Sequence, residues 1–76
     1  MQPKLRPSDV HTIGQAVRYY RQQRGLSQDT LCGESAVAQA IIDRIERGHN
    51  TTVKTLLKLC KAMKVTLAEL ATLAGV

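Results

Sequence analysis

Apolar residues in this sequence recur every three to four positions, in short stretches opened by Ser or Thr or closed by Gly. That period is helical. No stretch alternates with the period of two that a half-buried strand requires, β-branched residues are scattered, and no hairpin dipeptide occurs. The chain therefore reads as all-α, with five short helices. Thr12 and Gln15 make a capping box, followed by Ile13, Ala16, Val17 and Tyr20 at i, i+3, i+4 and i+7 and by Gly25 as the stop. Ser27 caps a short second helix, with Asp29 in its first turn and Leu31 and Cys32 facing inward. Ala38, Ile42 and Ile45 mark a third, which closes at Gly48. Thr52 opens a fourth with the stripe Val53, Leu56, Leu57, Cys60 and Met63, and Lys54, Lys58, Lys61 and Lys64 lie away from it. A second capping box, Thr66 and Glu69, begins a fifth with Leu67, Leu70, Ala71 and Ala74.

A chain of 76 residues has room for one domain with a small core, and dimerisation is a natural supplement to it. Pro3, Lys4, Arg6 and Pro7 read as part of an extended basic arm over residues 1–11, leaving 12–76 as the packed unit. Apolar runs fall short of the roughly 18 residues that span a bilayer, and no signal-peptide pattern opens the sequence, so a cytoplasmic protein is expected. Cys32 and Cys60 are too few for a disulfide framework and lack C-x-x-C spacing. Both fall on apolar stripes, which suits small buried residues, and neither shares a turn with His11 or His49 as zinc ligands would. No metal or cofactor is expected. An enzyme is not expected either: the sequence has no nucleophile–base constellation, paired carboxylates or phosphate-cradling Gly loop.

Eleven Lys and Arg against six Asp and Glu give a net charge of +5, which suits a polyanionic partner. Its distribution is uneven. Lys4, Arg6, Arg18, Arg21 and Arg24 precede residue 25 with only Asp9 opposing, and Lys54, Lys58, Lys61 and Lys64 follow residue 48 against Glu69. The intervening segment carries Arg44 and Arg47 against Asp29, Glu34, Asp43 and Glu46, so it is acidic. A polyanion would be gripped from the flanks. Tyr19 and Tyr20 do not make a base-stacking platform, because Tyr20 belongs to the core stripe.

Two short helices joined by a tight turn, the second with an exposed polar edge, outline a helix-turn-helix. RQQRGLSQDTL at 21–31 and AIIDRIERG at 40–48 resemble the lambda-repressor-like family, the Cro/repressor (XRE-like) type of helix-turn-helix regulators. Ser27, Gln28 and Leu31 match its S-Q-x-x-L, and Ile42, Arg44, Ile45, Glu46 and Gly48 match its I-x-R-I-E-x-G run. The similarity extends over about residues 12–70, since TTVKTLLKLCKAMKVTLAEL is similar to the family's fourth and fifth helices.

The resemblance implies a recognition helix at about 38–47, laid in the major groove of double-stranded DNA. Gln39, Ala40 and Ile41 fall at base-facing positions, with Asp43 and Arg44 one turn on. Gln suits adenine, Arg suits guanine, and Ile or Ala packs on a thymine methyl. Asp43 either accepts from cytosine N4 or repels phosphate and narrows the choice of sites. Ser27, Gln28, Arg47, Asn50 and Lys54 are the phosphate candidates. Arg21 borders the first helix's apolar stripe and needs a partner, which the resemblance places at Glu46 as a structural ion pair.

Ser35, Ala36 and Ala38 stand where the family commonly has a large apolar residue, Gly and a capping Ser or Thr. Two readings follow. The standard turn survives in weakened form, or helix 2 ends near Gly33 and Ser35 caps a longer helix 3. The expected function is a homodimeric, sequence-specific transcriptional regulator on a pseudo-palindromic operator, acting by contact with RNA polymerase or by its exclusion. Leu70, Leu73 and Val76 are the dimer-surface candidates, though the same tail could cap the core. The alternative is an antitoxin-like module that binds and silences a partner protein.

Overall fold

The computed structural model describes residues 4–75. A 3-10 turn, Pro7–Asp9, precedes five helices: α1 Ile13–Gln23, α2 Gln28–Ser35, α3 Gln39–Glu46, α4 Val53–Met63 and α5 Leu67–Ala74. No strand occurs among the described residues. α1 lies against α3 and α5, α2 lies against α3 and α4, and α4 touches α1 and α5. Val17, Leu31, Ile42, Ile45, Leu59, Met63 and Leu70 are its largest fully buried side chains. Each such burial contributes about 1.5–3 kcal/mol relative to exposure.

The helix starts follow their caps. Thr12, Ser27, Thr52 and Thr66 each accept a hydrogen bond from the backbone N–H three residues on. At Thr66 the box closes fully, because the Glu69 carboxylate accepts from the Thr66 N–H at 2.9 Å. Those hydrogen bonds hold the Glu69 carboxyl below its usual range. At Thr12 it does not close. Gln15 Oε1 instead takes the N–H of His11 at 2.8 Å, one residue earlier. α1 and α3 end alike, with Gly25 and Gly48 at positive φ. There Leu26 N–H donates to Arg21 O and His49 N–H to Arg44 O, each at 3.0 Å, which satisfies carbonyls the helices leave open.

The segment before α1 is not a free extended arm. Residues 7–9 form a helical turn, Arg6 pairs with Asp9 at 3.1 Å, and Leu5 N–H donates to Gln22 Oε1 at 2.7 Å. Val10 is buried in the core, so packing begins before the Thr12 cap. Residues 1–3 lie outside the described residues.

The stripe on α4 is rotated from the one expected. Leu56, Leu59, Cys60 and Met63 face inward, whereas Val53 and Leu57 are 59% and 49% exposed. Both flanks are apolar enough to serve, and contact with α1, α2 and α5 selects between them. Ala38 is exposed and leaves the core to Val37, and Cys32 is only half-buried. Tyr19 and Tyr20 both pack partly on the core, ring edge to ring face with centroids 5.4 Å apart. Gly14 is required by proximity: a Cβ there would collide with the Ile45 carbonyl, so its absence lets α1 approach the end of α3.

Between α2 and α3 the standard turn is kept. α2 runs through Gly33 to Ser35, and Ala36 adopts the left-handed conformation, φ 60° and ψ 23°. The reading that ends α2 at Gly33 and caps α3 with Ser35 is therefore overturned. Ser35 is buried, and its hydroxyl donates to Leu31 O at 2.6 Å and accepts from Val37 N–H at 3.2 Å. A polar residue thus fills an apolar site with its hydrogen bonds met. Ala38 provides no side-chain cap.

Left-handed φ costs an L-residue about 1–2 kcal/mol, against a smaller gain in unfolded-state entropy for Gly. Ala36→Gly is expected to stabilise the fold by about 1 kcal/mol. Urea titration should show a higher midpoint at unchanged slope. A lower midpoint would mean that Ala36 is not strained.

Candidate nucleic-acid interface

α3 is anchored along one side and open along the other. Ile42 and Ile45 are buried in the core, while Gln39, Ala40 and Arg44 are exposed and Ile41 is 38% exposed. Arg44 forms no ion pair among the described residues. The open side therefore carries an amide, a small residue, a branched apolar side chain and a guanidinium. Those are groups that can read base edges and thymine methyls.

The anchor at the far end is ionic. Arg21 Nε donates to Glu46 Oε2 at 2.7 Å and Arg21 Nη2 to Glu46 Oε1 at 2.9 Å, a two-pronged pair. A third Arg21 nitrogen, Nη1, donates to Leu26 O at 2.8 Å. The two side chains are only 8% and 3% exposed. Arg21 belongs to α1 and Leu26 to the α1–α2 connection, so one guanidinium ties α1, that connection and α3 together. Removing either partner would strand a buried charge.

Beside this anchor, Arg21, Gln22, Ser27, Gln28, Asp29 and Gln39 line an open concavity where α2 begins. Ser27 Oγ is engaged as the cap of α2, accepting from Thr30 N–H at 3.0 Å. Gln28 Nε2 donates to Asp43 Oδ1 and to Glu46 Oε1, both at 3.3 Å. Arg47 Nε lies 3.0 Å from the other Asp43 oxygen. Asp43 is thus engaged on both oxygens while its side chain stays 34% exposed. Asn50 and Lys54 are exposed around the start of α4, and Lys58, Lys61 and Lys64 are exposed further along.

Among the dimer-surface candidates, Leu70 is fully buried in the chain's own core and has no side chain left for a second copy. Leu73 is half-buried, and Val76 lies outside the described residues. The exposed apolar pair Val53 and Leu57 escaped the sequence reading because both were assigned to the α4 stripe. Arg24 also went unassigned: its Nε donates to Met63 O at 2.9 Å and its guanidinium lies over the Tyr20 ring, fastening α1 to the end of α4.

A helix-turn-helix family profile matches residues 17–70. The chain belongs to that family. It is 38% identical over 60 residues to the HTH-type transcriptional regulator SlrR of Bacillus subtilis, matching 76% of its own length. It spans only 40% of SlrR. A crystal structure of SinR, the master regulator for biofilm formation, in complex with DNA superposes with a TM-score of 0.74 at 30% identity. That match covers 78% of this chain and 97% of the SinR chain. The restriction-modification controller protein C.AhdI of Aeromonas hydrophila gives 0.75 at 34% identity, covering 83% and 97%. The regulator ClgR of C. glutamicum, at 22% identity and 0.81, shares the fold.

Glu46→Ala is expected to lower the melting temperature and DNA affinity together, at a stability cost of about 3–5 kcal/mol from the stranded Arg21. Thermal melting and a duplex-binding titration check this. Unchanged melting with lost binding would make Glu46 a DNA contact instead of an anchor.

Proposed function

We propose that this chain is a DNA-binding transcriptional regulator that inserts α3 into the major groove of double-stranded DNA. The observation that carries the reading is the two-sided α3: its inner side is locked by Ile42, Ile45 and the Arg21–Glu46 pair, and its outer side offers polar groups to solvent. Gln39, Ala40, Ile41 and Arg44 read bases. The start of α2 at Gln28, together with Arg47, Asn50 and Lys54, holds phosphates on either side. SinR, similar over most of this chain, is described bound to DNA, and SlrR is described as a transcriptional regulator. Regulation follows from contact with RNA polymerase or from its exclusion at the bound promoter. The chemistry is recognition, not catalysis.

The working form is a homodimer, placing two copies of α3 about 34 Å apart on a pseudo-palindromic operator. Val53 and Leu57, on consecutive turns of α4, are the most exposed large apolar side chains among the described residues and face a second copy. The same pair supports a second reading, a module that binds and silences a partner protein. Salt separates the two: DNA affinity falls steeply between about 50 and 200 mM, whereas an apolar protein contact barely responds.

Selection from a random duplex library at physiological salt is expected to enrich a two-fold symmetric motif with half-sites one helical turn apart. Retention without enrichment would favour the protein-partner reading. On the selected duplex, Gln39→Ala and Arg44→Ala should each relax one base position at a cost of about 1–3 kcal/mol. Lys54→Ala should weaken all sequences alike; equal, sequence-blind losses in all three variants would refute the recognition register. Leu57→Glu should convert the dimer to monomer in sedimentation without unfolding it, and an unchanged dimer would place the interface elsewhere.

A further inference from the structure

We propose that Asp43 limits DNA affinity by holding the protein's own phosphate ligands, so that a duplex stays bound only when base contacts make up the difference. This rests on the DNA-binding reading above. Asp43 sits on the same helix as the base-reading groups, and its carboxylate is 34% exposed. One oxygen accepts from Gln28 Nε2 at 3.3 Å and the other faces Arg47 Nε at 3.0 Å. Those two partners belong to the two edges of the interface, Gln28 at the start of α2 and Arg47 just past the end of α3. Arg47 is otherwise open, at 73% exposure.

The charge pattern gives this arrangement a consequence. Glu46, the other anion of α3, is neutralised internally by the buried Arg21. Asp43 is therefore the carboxylate of this helix that an approaching phosphate meets. Arg47 turns its Nε to Asp43, so a phosphate competes with that carboxylate for one guanidinium, and the carboxylate, then less well neutralised, faces a polyanion. Both effects oppose every duplex alike, since the backbone is the same in all sequences. Only a duplex that also satisfies Gln39, Ile41 and Arg44 compensates for the loss. Asp43 thus weakens every duplex by a similar factor, so that at a given protein concentration only duplexes that also make the base contacts stay bound.

The test compares wild type, Asp43→Asn, Asp43→Ala and Asp43→Ala/Arg47→Ala. Each is titrated with the library-selected duplex and with a scrambled duplex of equal length, and thermal melting confirms folding. Asp43→Ala is expected to bind the scrambled duplex more tightly, by up to about fivefold. The selected duplex should tighten by a similar factor, and the salt dependence with both should steepen by about one unit of slope, because the charge of Arg47 is no longer offset. Asp43→Asn, which keeps an acceptor for Gln28 but not the charge, should do most of this. Removing Arg47 as well should cancel the change in slope. A uniform weakening by Asp43→Ala would overturn the proposal and make Asp43 a support for Arg47. So would a loss confined to one base pair, which would make it a reader of cytosine. If wild type does not distinguish the two duplexes, the sequence-specific reading fails and this proposal with it; discrimination with additive, slope-neutral variants defeats only this proposal.

Discussion

The Arg21–Glu46 pair is the constraint on which the rest of the structure depends. Ion pairs on a protein surface contribute little, but this one is almost wholly removed from water, and its guanidinium is satisfied on three nitrogens. It joins α1 to the last residue of α3 through a planar, two-pronged contact that tolerates little rotation. Gly14 complements it by letting the α1 backbone come against Ile45. The open side of α3 is thus held from behind by a charge pair and a backbone contact. α3, only eight residues long, could not hold its orientation by helix propensity alone.

The turn between α2 and α3 is the weaker part of the scaffold. Ala36 takes a backbone conformation that suits Gly, and Ala38 begins α3 without a side-chain cap. Burial of Leu31, Val37 and Ile42 on either side holds the turn despite both costs. Ser35 shows how a polar residue can occupy an apolar position: its hydroxyl reaches back to Leu31 O and forward to Val37 N–H, so its own donor and acceptor are both met. Local imperfection and global fit coexist here because packing on both flanks determines the chain path.

Charge is arranged by role. Four exposed lysines run from Lys54 to Lys64 along α4 and its end, and Arg44 and Arg47 stand on the α3 side, so long-range attraction for a polyanion is built in. The acids of the central segment do not cancel that attraction evenly. Glu46 is turned inward to Arg21, and Asp43 lies between Gln28 and Arg47. The charges open to a distant polyanion and the charges closed in pairs are therefore largely different residues.

Much of this was legible in the order of residues alone. Helix number, helix starts at Thr12, Ser27, Thr52 and Thr66, and stops at Gly25 and Gly48 depend on neighbours within four positions, so sequence by itself determined them. The family resemblance added the Arg21–Glu46 pairing and the course of α3. Other features were decided only by tertiary structure, because they depend on which distant atoms arrive. The apolar stripe of α4 was read through Val53 and Leu57, and packing buried Leu59 while leaving those two in solvent. Leu70 went to the core, Gly14 met Ile45, and Gln15 capped His11 in place of Thr12. Asp43 found Gln28, fifteen residues away in sequence. Periodicity states that a face will be buried; only the assembled helices determine which face, and which polar group waits there.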